Sequence, residues 1–135
     1  MSDERYLLDT SALLTLIENE EGAARVEYVL RHCEVLLPWL GLLEVYYITQ
    51  QKQGQAEADR RYALTQRLPV TILWNVDEPT LLTAARLKAV HRISLADATI
   101  ATFAIRQNAL LLHKDPEFES LSGQVLLEAL PYKRA

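Results

Sequence analysis

Four carboxylates stand where an apolar segment ends or is interrupted: Asp9, Glu44, Asp97 and Asp115. Asp9 closes the run Tyr6-Leu7-Leu8 and is followed by Thr10, Ser11 and the apolar Ala12-Leu13-Leu14. Glu44 sits among Leu40, Gly41, Val45, Tyr47 and Ile48, where a lone ionised carboxylate is costly to bury. Asp97 precedes Ile100 and Ala101, and Asp115 follows Leu110-Leu111-Leu112 and precedes Pro116. Carboxylates about 5 Å apart repel by roughly 3 kcal/mol per pair at an effective dielectric near 20, so three mutual pairs cost about 10 kcal/mol. That is comparable to the stability of a whole domain. Acids converging on one pocket must therefore take up protons or bind cations. With one cysteine, Cys33, and no paired histidines, the donors are hard oxygens, which select Mg²⁺ or Mn²⁺ over zinc.

Each acid also has a simpler reading. Asp9, Thr10 or Ser11 can cap a helix that starts there. Ser94-Leu95-Ala96-Asp97 fits a capping box. Asp115-Pro116-Glu117 is an ordinary helix start, with Asp as cap and Pro at the first position. Glu44 could pair with an arginine or lie at the edge of an apolar stripe.

The elements that must position these acids follow from the apolar pattern. Strands are expected at 6–9, 34–37, 70–74, 109–112 and, weakly, 125–127. Helices are expected at 12–18, 23–32, 39–53, 55–68, 77–90 and 94–107, with a short helical piece inside 115–122. Gly54 should end the third helix, Pro69 should stop the fourth, and Pro79 falls in the first turn of the fifth. Short continuous apolar strands between helices predict an α/β fold of three layers, α/β/α, around a central, mainly parallel five-stranded sheet. Such sheets carry their sites beyond the carboxyl ends of the strands, at the switch point of strand order.

The chain has 135 residues, half of them hydrophobic and 24% charged, which predicts a single domain over 1–135 with an adequate core. The net charge of −4 counts against a broad basic face for nucleic acid. It counts less against an acidic active site, whose bound cations offset the acids. Met1 to Arg5 does not read as a signal peptide, and the longest apolar run, Val35 to Leu43, is broken by Pro38 and Gly41. These features, with a lone Cys33 read as a buried inert thiol, predict a cytoplasmic protein without membrane contact. The basic carboxyl end is expected to fray.

Four segments, in order, carry a resemblance. They are Leu8-Asp9-Thr10-Ser11-Ala12-Leu13-Leu14, Leu43-Glu44-Val45, Ser94-Leu95-Ala96-Asp97-Ala98-Thr99-Ile100-Ala101 and Leu111-Leu112-His113-Lys114-Asp115-Pro116-Glu117-Phe118. Together they resemble the PIN-domain ribonucleases, and more narrowly the VapC-type toxins of bacterial or archaeal toxin–antitoxin pairs. The departure is His113, where the family often has Thr or Ser.

The resemblance implies a PIN-like, Rossmann-like fold and a metal-dependent endoribonuclease. Asp9, Glu44 and Asp97 would hold the main Mg²⁺ or Mn²⁺ ion, and Asp115 would hold it through water or help with a second ion. Ser11 would hydrogen-bond within the cluster. The reaction would be in-line hydrolysis of an RNA phosphodiester by water. The substrate would be a structured RNA such as a tRNA or rRNA loop. A cognate antitoxin would lie across the site, and the protein would form a homodimer. Candidate phosphate contacts are Arg60, Arg61, Arg67, Arg86, Lys88, Arg92 and Lys114, against the reading of a solvated helix face. Trp39, Tyr46, Tyr47 and Tyr62 could stack on bases, against a core or interface role.

Two other functions compete. One is a catalytically silent PIN-like module that binds RNA or protein. The other is a phosphotransfer or receiver domain with Asp9 as nucleophile, which lacks a second acid at position 11 and an acidic pair in the right place.

Overall fold

The computed structural model describes residues 4–133. Its elements run β1 (Arg5–Leu8), α1 (Thr10–Ile17), α2 (Ala23–His32), β2 (Glu34–Pro38), α3 (Trp39–Gln53), α4 (Gln55–Gln66), β3 (Thr71–Leu73), α5 (Glu78–Val90), α6 (Leu95–Gln107), β4 (Leu110–His113), a 3-10 helix (Pro116–Leu121) and β5 (Leu127–Ala129). The five strands form one sheet in the order β3-β2-β1-β4-β5, and every neighbouring pair is parallel.

The continuous apolar strands are explained by burial on both faces. Tyr6, Leu8, Val35, Leu37 and Leu112 face one way and pack with Leu13, Val26, Val29 and Val45 of α1 to α3. Leu7, Leu36 and Leu111 face the other way and pack with Ile100 and Phe103 of α6 and Phe118 of the 3-10 helix. The strand period of two thus divides one run of hydrophobic residues between two cores. No helix among the described residues is long and apolar enough to cross a membrane.

Boundaries shift where caps and turns decide them. Asp9, Asp77 and Ser94 lie outside their helices and accept from Ala12, Thr80 and Asp97 backbone N–H groups. α4 stops at Gln66 because Pro69 disfavours helical geometry at Leu68. β5 starts two residues later than expected. The N–H groups of Gln124 and Val125 are spent on the Leu121 carbonyl, so Val125 fills the core from a turn. Gly54 holds φ +92° and ψ 169° between α3 and α4, a conformation open essentially to glycine alone. Cys33 is half-buried at the end of α2 rather than sealed in the core. The fraying expected of the carboxyl end concerns Arg134 and Ala135, outside the described residues; Lys133 pairs with Glu20 at 3.0 Å.

Candidate active site

Strand order reverses between β1 and β4, and the acids gather beyond the carboxyl ends of those two strands. Asp9 extends β1 by one step, its N–H reaching the Leu112 carbonyl at 3.2 Å. Its carboxylate turns to cap α1, accepting the Ala12 N–H at 2.8 Å. The Ser11 hydroxyl donates to the same carboxylate at 2.7 Å and accepts the Lys114 N–H at 2.9 Å, which ties the end of β1 to the loop after β4. Asp9 is only 3% exposed. Burial pushes its carboxyl up to about 7; the Ala12 and Ser11 bonds oppose this, and the negative charge of Asp97 adds to it.

Glu44 lies in the second turn of α3, half-buried, and accepts the Thr10 hydroxyl. Among the described residues its partner is thus a hydroxyl on the first turn of α1, not an arginine. Asp97 lies in the first turn of α6 behind the Ser94 cap, whose hydroxyl accepts its N–H at 3.0 Å. Burial pushes the Asp97 carboxyl up to about 6, the charges of Asp115, Glu44 and Glu117 push the same way, and the Ser94 bond opposes them. Asp115 caps the 3-10 helix, accepting the Glu117 N–H at 2.9 Å.

Asp97, Asp115 and Glu117 each offer an oxygen within 4.8 Å of the other two. Asp9 and Glu44 stand outside this closest trio and are linked to Asp97 by charge. Glu117 was not singled out from the sequence, where Asp115-Pro116-Glu117 read as a plain helix start. The signal lay in two carboxylates two residues apart on a tight turn beside another acid. Among the described residues, no Lys, Arg or His side chain forms an ion pair with any of these five acids.

His113 ends β4 and is 1% exposed. Its Nδ1 accepts the Asp115 N–H at 3.1 Å, and its ring meets Phe118 edge-on at 5.2 Å. Burial holds it below the usual histidine range, and among the described residues its Nε2 has no hydrogen-bond partner.

The basic side chains divide. Arg61 is buried and bonded to Glu57 and Thr49, and Arg60 is bound to Glu57. Lys114 sends its ammonium to the Glu21 carbonyl at 2.7 Å with only 4% of its side chain exposed. Arg61 and Lys114 are taken up by the fold rather than offered to a substrate, whereas Arg60, paired with Glu57 at the surface, and Arg67, Arg86, Lys88 and Arg92 are exposed. Beside Ser11 and Asp115 a cleft of about 390 Å³ opens toward Lys52 and Thr49. Trp39, Tyr46, Tyr47 and Tyr62 line an apolar groove of about 550 Å³ with Leu42, Leu43 and Trp74.

A family model for the PIN domain matches residues 6–124. The chain belongs to the PIN domain family. Solved PIN-type structures superimpose on it over nearly their whole length. VapBC2 from Rickettsia felis, bound to a DNA fragment of its promoter, matches with a TM-score of 0.78 at 16% identity, covering 94% of this chain and 99% of that one. VapBC-1 from nontypeable Haemophilus influenzae matches with a TM-score of 0.72 at 22% identity, covering 93% and 97%. The sarcin–ricin-loop-cleaving toxin VapC20 of Mycobacterium tuberculosis matches with a TM-score of 0.72 at 17% identity, covering 93% and 99%. At these identities the likeness establishes the PIN fold. No curated protein matches the sequence.

Proposed function

We propose that this PIN domain is the toxin of a VapC-type toxin–antitoxin pair and acts as a Mg²⁺- or Mn²⁺-dependent endoribonuclease. The carrying observation is the uncompensated acidic cluster at the switch point of the sheet. Three carboxylates lie within 4.8 Å of one another, a buried Asp9 stands beside them, and among the described residues no cationic side chain forms an ion pair with any of them. The donor set fits a hard dication, being all oxygen and without soft ligands. Asp9, Glu44 and Asp97 would hold the main ion, with Asp115 and its neighbour Glu117 completing the site or holding a second. An ion bound there supplies an activated water and stabilises charge on the phosphodiester oxygens.

The other roles belong to the chain itself. Ser11 fixes the Asp9 carboxylate by donating to it while the Lys114 N–H fixes Ser11. Thr10 fixes Glu44. The substrate on this reading is a structured RNA such as a tRNA or rRNA loop. The protein acts in the cytoplasm as a homodimer, silenced by a cognate antitoxin. The toxin–antitoxin complexes among the structural neighbours support that partner.

Sequencing RNA 5′ ends after brief induction tests the proposal. Wild type gives discrete new ends, and Asp9→Asn gives none and restores growth. Full toxicity of Asp9→Asn would overturn the assignment. The competing reading, a catalytically silent PIN-like binding module, is favoured by one observation: Asp9 and Asp115 both act as helix caps. A melting temperature unmoved by Mn²⁺ would support that module.

A further inference from the structure

His113 presents an arrangement that packing alone does not explain. Its ring is sealed between Phe118 and Tyr132, with centroids at 5.2 and 6.1 Å. Within that apolar setting Nε2 finds no partner among the described residues, and a buried polar atom without one calls for a reason. A phenylalanine would fill the same space without stranding a polar atom. What the imidazole adds is Nδ1, which accepts the Asp115 N–H at 3.1 Å. That bond requires Nδ1 to be unprotonated, so the ring is the neutral Nε2–H tautomer. His113 is itself held by the sheet, since its carbonyl accepts the Leu130 N–H at 2.7 Å beside β5. The Asp115 carboxylate is fixed from the other side by the Glu117 N–H.

We propose that His113 is a positioning residue: its Nδ1 anchors the Asp115 backbone to the rigid end of β4 and so aims the Asp115 carboxylate at the cation. The inference rests on reading the acidic cluster as a cation site. Groups behind a metal ligand set its orientation, and their loss weakens metal binding on the order of 10–100-fold.

Two substitutions separate aiming from packing. His113→Phe keeps the ring and removes the acceptor. His113→Asn places its Oδ1 near the Nδ1 position and loses the ring. We expect His113→Phe to melt, metal-free, close to wild type, to bind Mn²⁺ on the order of tenfold more weakly by calorimetry, and to lose hydrogen-exchange protection at the Asp115 amide. We expect His113→Asn to melt several degrees lower, yet to bind Mn²⁺ within a few-fold of wild type and keep that amide protected. Wild-type Mn²⁺ affinity in His113→Phe overturns the positioning role, as does affinity that simply follows melting temperature across both variants. Wild-type protein that binds no Mn²⁺ overturns instead the cation-site reading beneath it.

Discussion

Asp9 keeps its proton to a higher pH when folded than when unfolded. An unfolded aspartate ionises near 3.8, whereas burial holds the folded Asp9 to about 7. Between those values the native state retains a proton that the unfolded state has lost, so stability falls as pH rises through that window. Asp97 adds to the fall up to about 6. The carboxyls held low, Glu20, Glu57, Asp77 and Glu128, act in the opposite sense and only in acid. In metal-free protein, Asp9→Asn should therefore raise the melting temperature at pH 8 and flatten the decline between pH 5 and 8. Thermal melts across that range check it, and a decline as steep as wild type would contradict it. The same protons must leave before a cation enters, so Mn²⁺ affinity should climb between pH 5 and 8. Glu117→Gln should weaken Mn²⁺ binding on the order of tenfold, about 1.4 kcal/mol. Glu119→Gln, whose carboxylate is engaged by Tyr132 instead, serves as the control and should leave the affinity unchanged.

At the scale of the element, the acids are delivered by strand ends and helix starts, and their precision depends on how those termini are fixed. α3 brings Glu44 against α1, while its other end turns into α4 through Gly54. A Cβ at Gly54 meets nothing within 4 Å, so the cost of an alanine there is purely conformational. Gly54→Ala should lower stability by about 1–3 kcal/mol in urea unfolding. Mn²⁺ affinity should hold, because Gly54 lies ten residues, about 15 Å of helix, beyond Glu44. A large loss of metal binding would mean that the α3–α4 turn sets the site. On the opposite edge, Glu128 of β5 accepts from the Tyr6 hydroxyl at 2.6 Å and from Arg25 at 2.8 Å, fastening the last strand to β1 and α2.

At the scale of the molecule, the parallel sheet reverses its strand order between β1 and β4, and there Asp97, Asp115 and Glu117 crowd together within range of the charges of Asp9 and Glu44. Among the described residues no cationic side chain forms an ion pair with them. A cation that binds the native state alone should therefore stabilise it, by about 2.7 kcal/mol at 100-fold over its dissociation constant. For a chain of this size that corresponds to a rise in melting temperature on the order of 5–10 °C. Differential scanning with and without Mn²⁺ checks it, and Asp9→Asn should abolish the rise. An equal rise in Asp9→Asn would place the bound ion elsewhere.

The sequence by itself determined the alternation of strands and helices, because two-sided burial writes each parallel strand as an unbroken apolar run such as Tyr6-Leu7-Leu8 or Leu110-Leu111-Leu112. It also marked Asp9, Glu44, Asp97 and Asp115 as acids in apolar company. Tertiary structure decided the rest. Whether Asp9 is a cap or a cluster member had no answer in local pattern, and in the folded chain it is a cap that also feels the charge of Asp97. Glu117 joined the closest trio only because the turn after β4 faces the start of α6. Lys114 left the pool of free cations because the Glu21 carbonyl, 93 residues away, captured it, and Arg61 because Thr49 of α3 joined its helical neighbour Glu57 in holding it. Periodicity reports what a segment buries, whereas the partner of a polar group is a matter of distance between segments, which only the packed chain fixes.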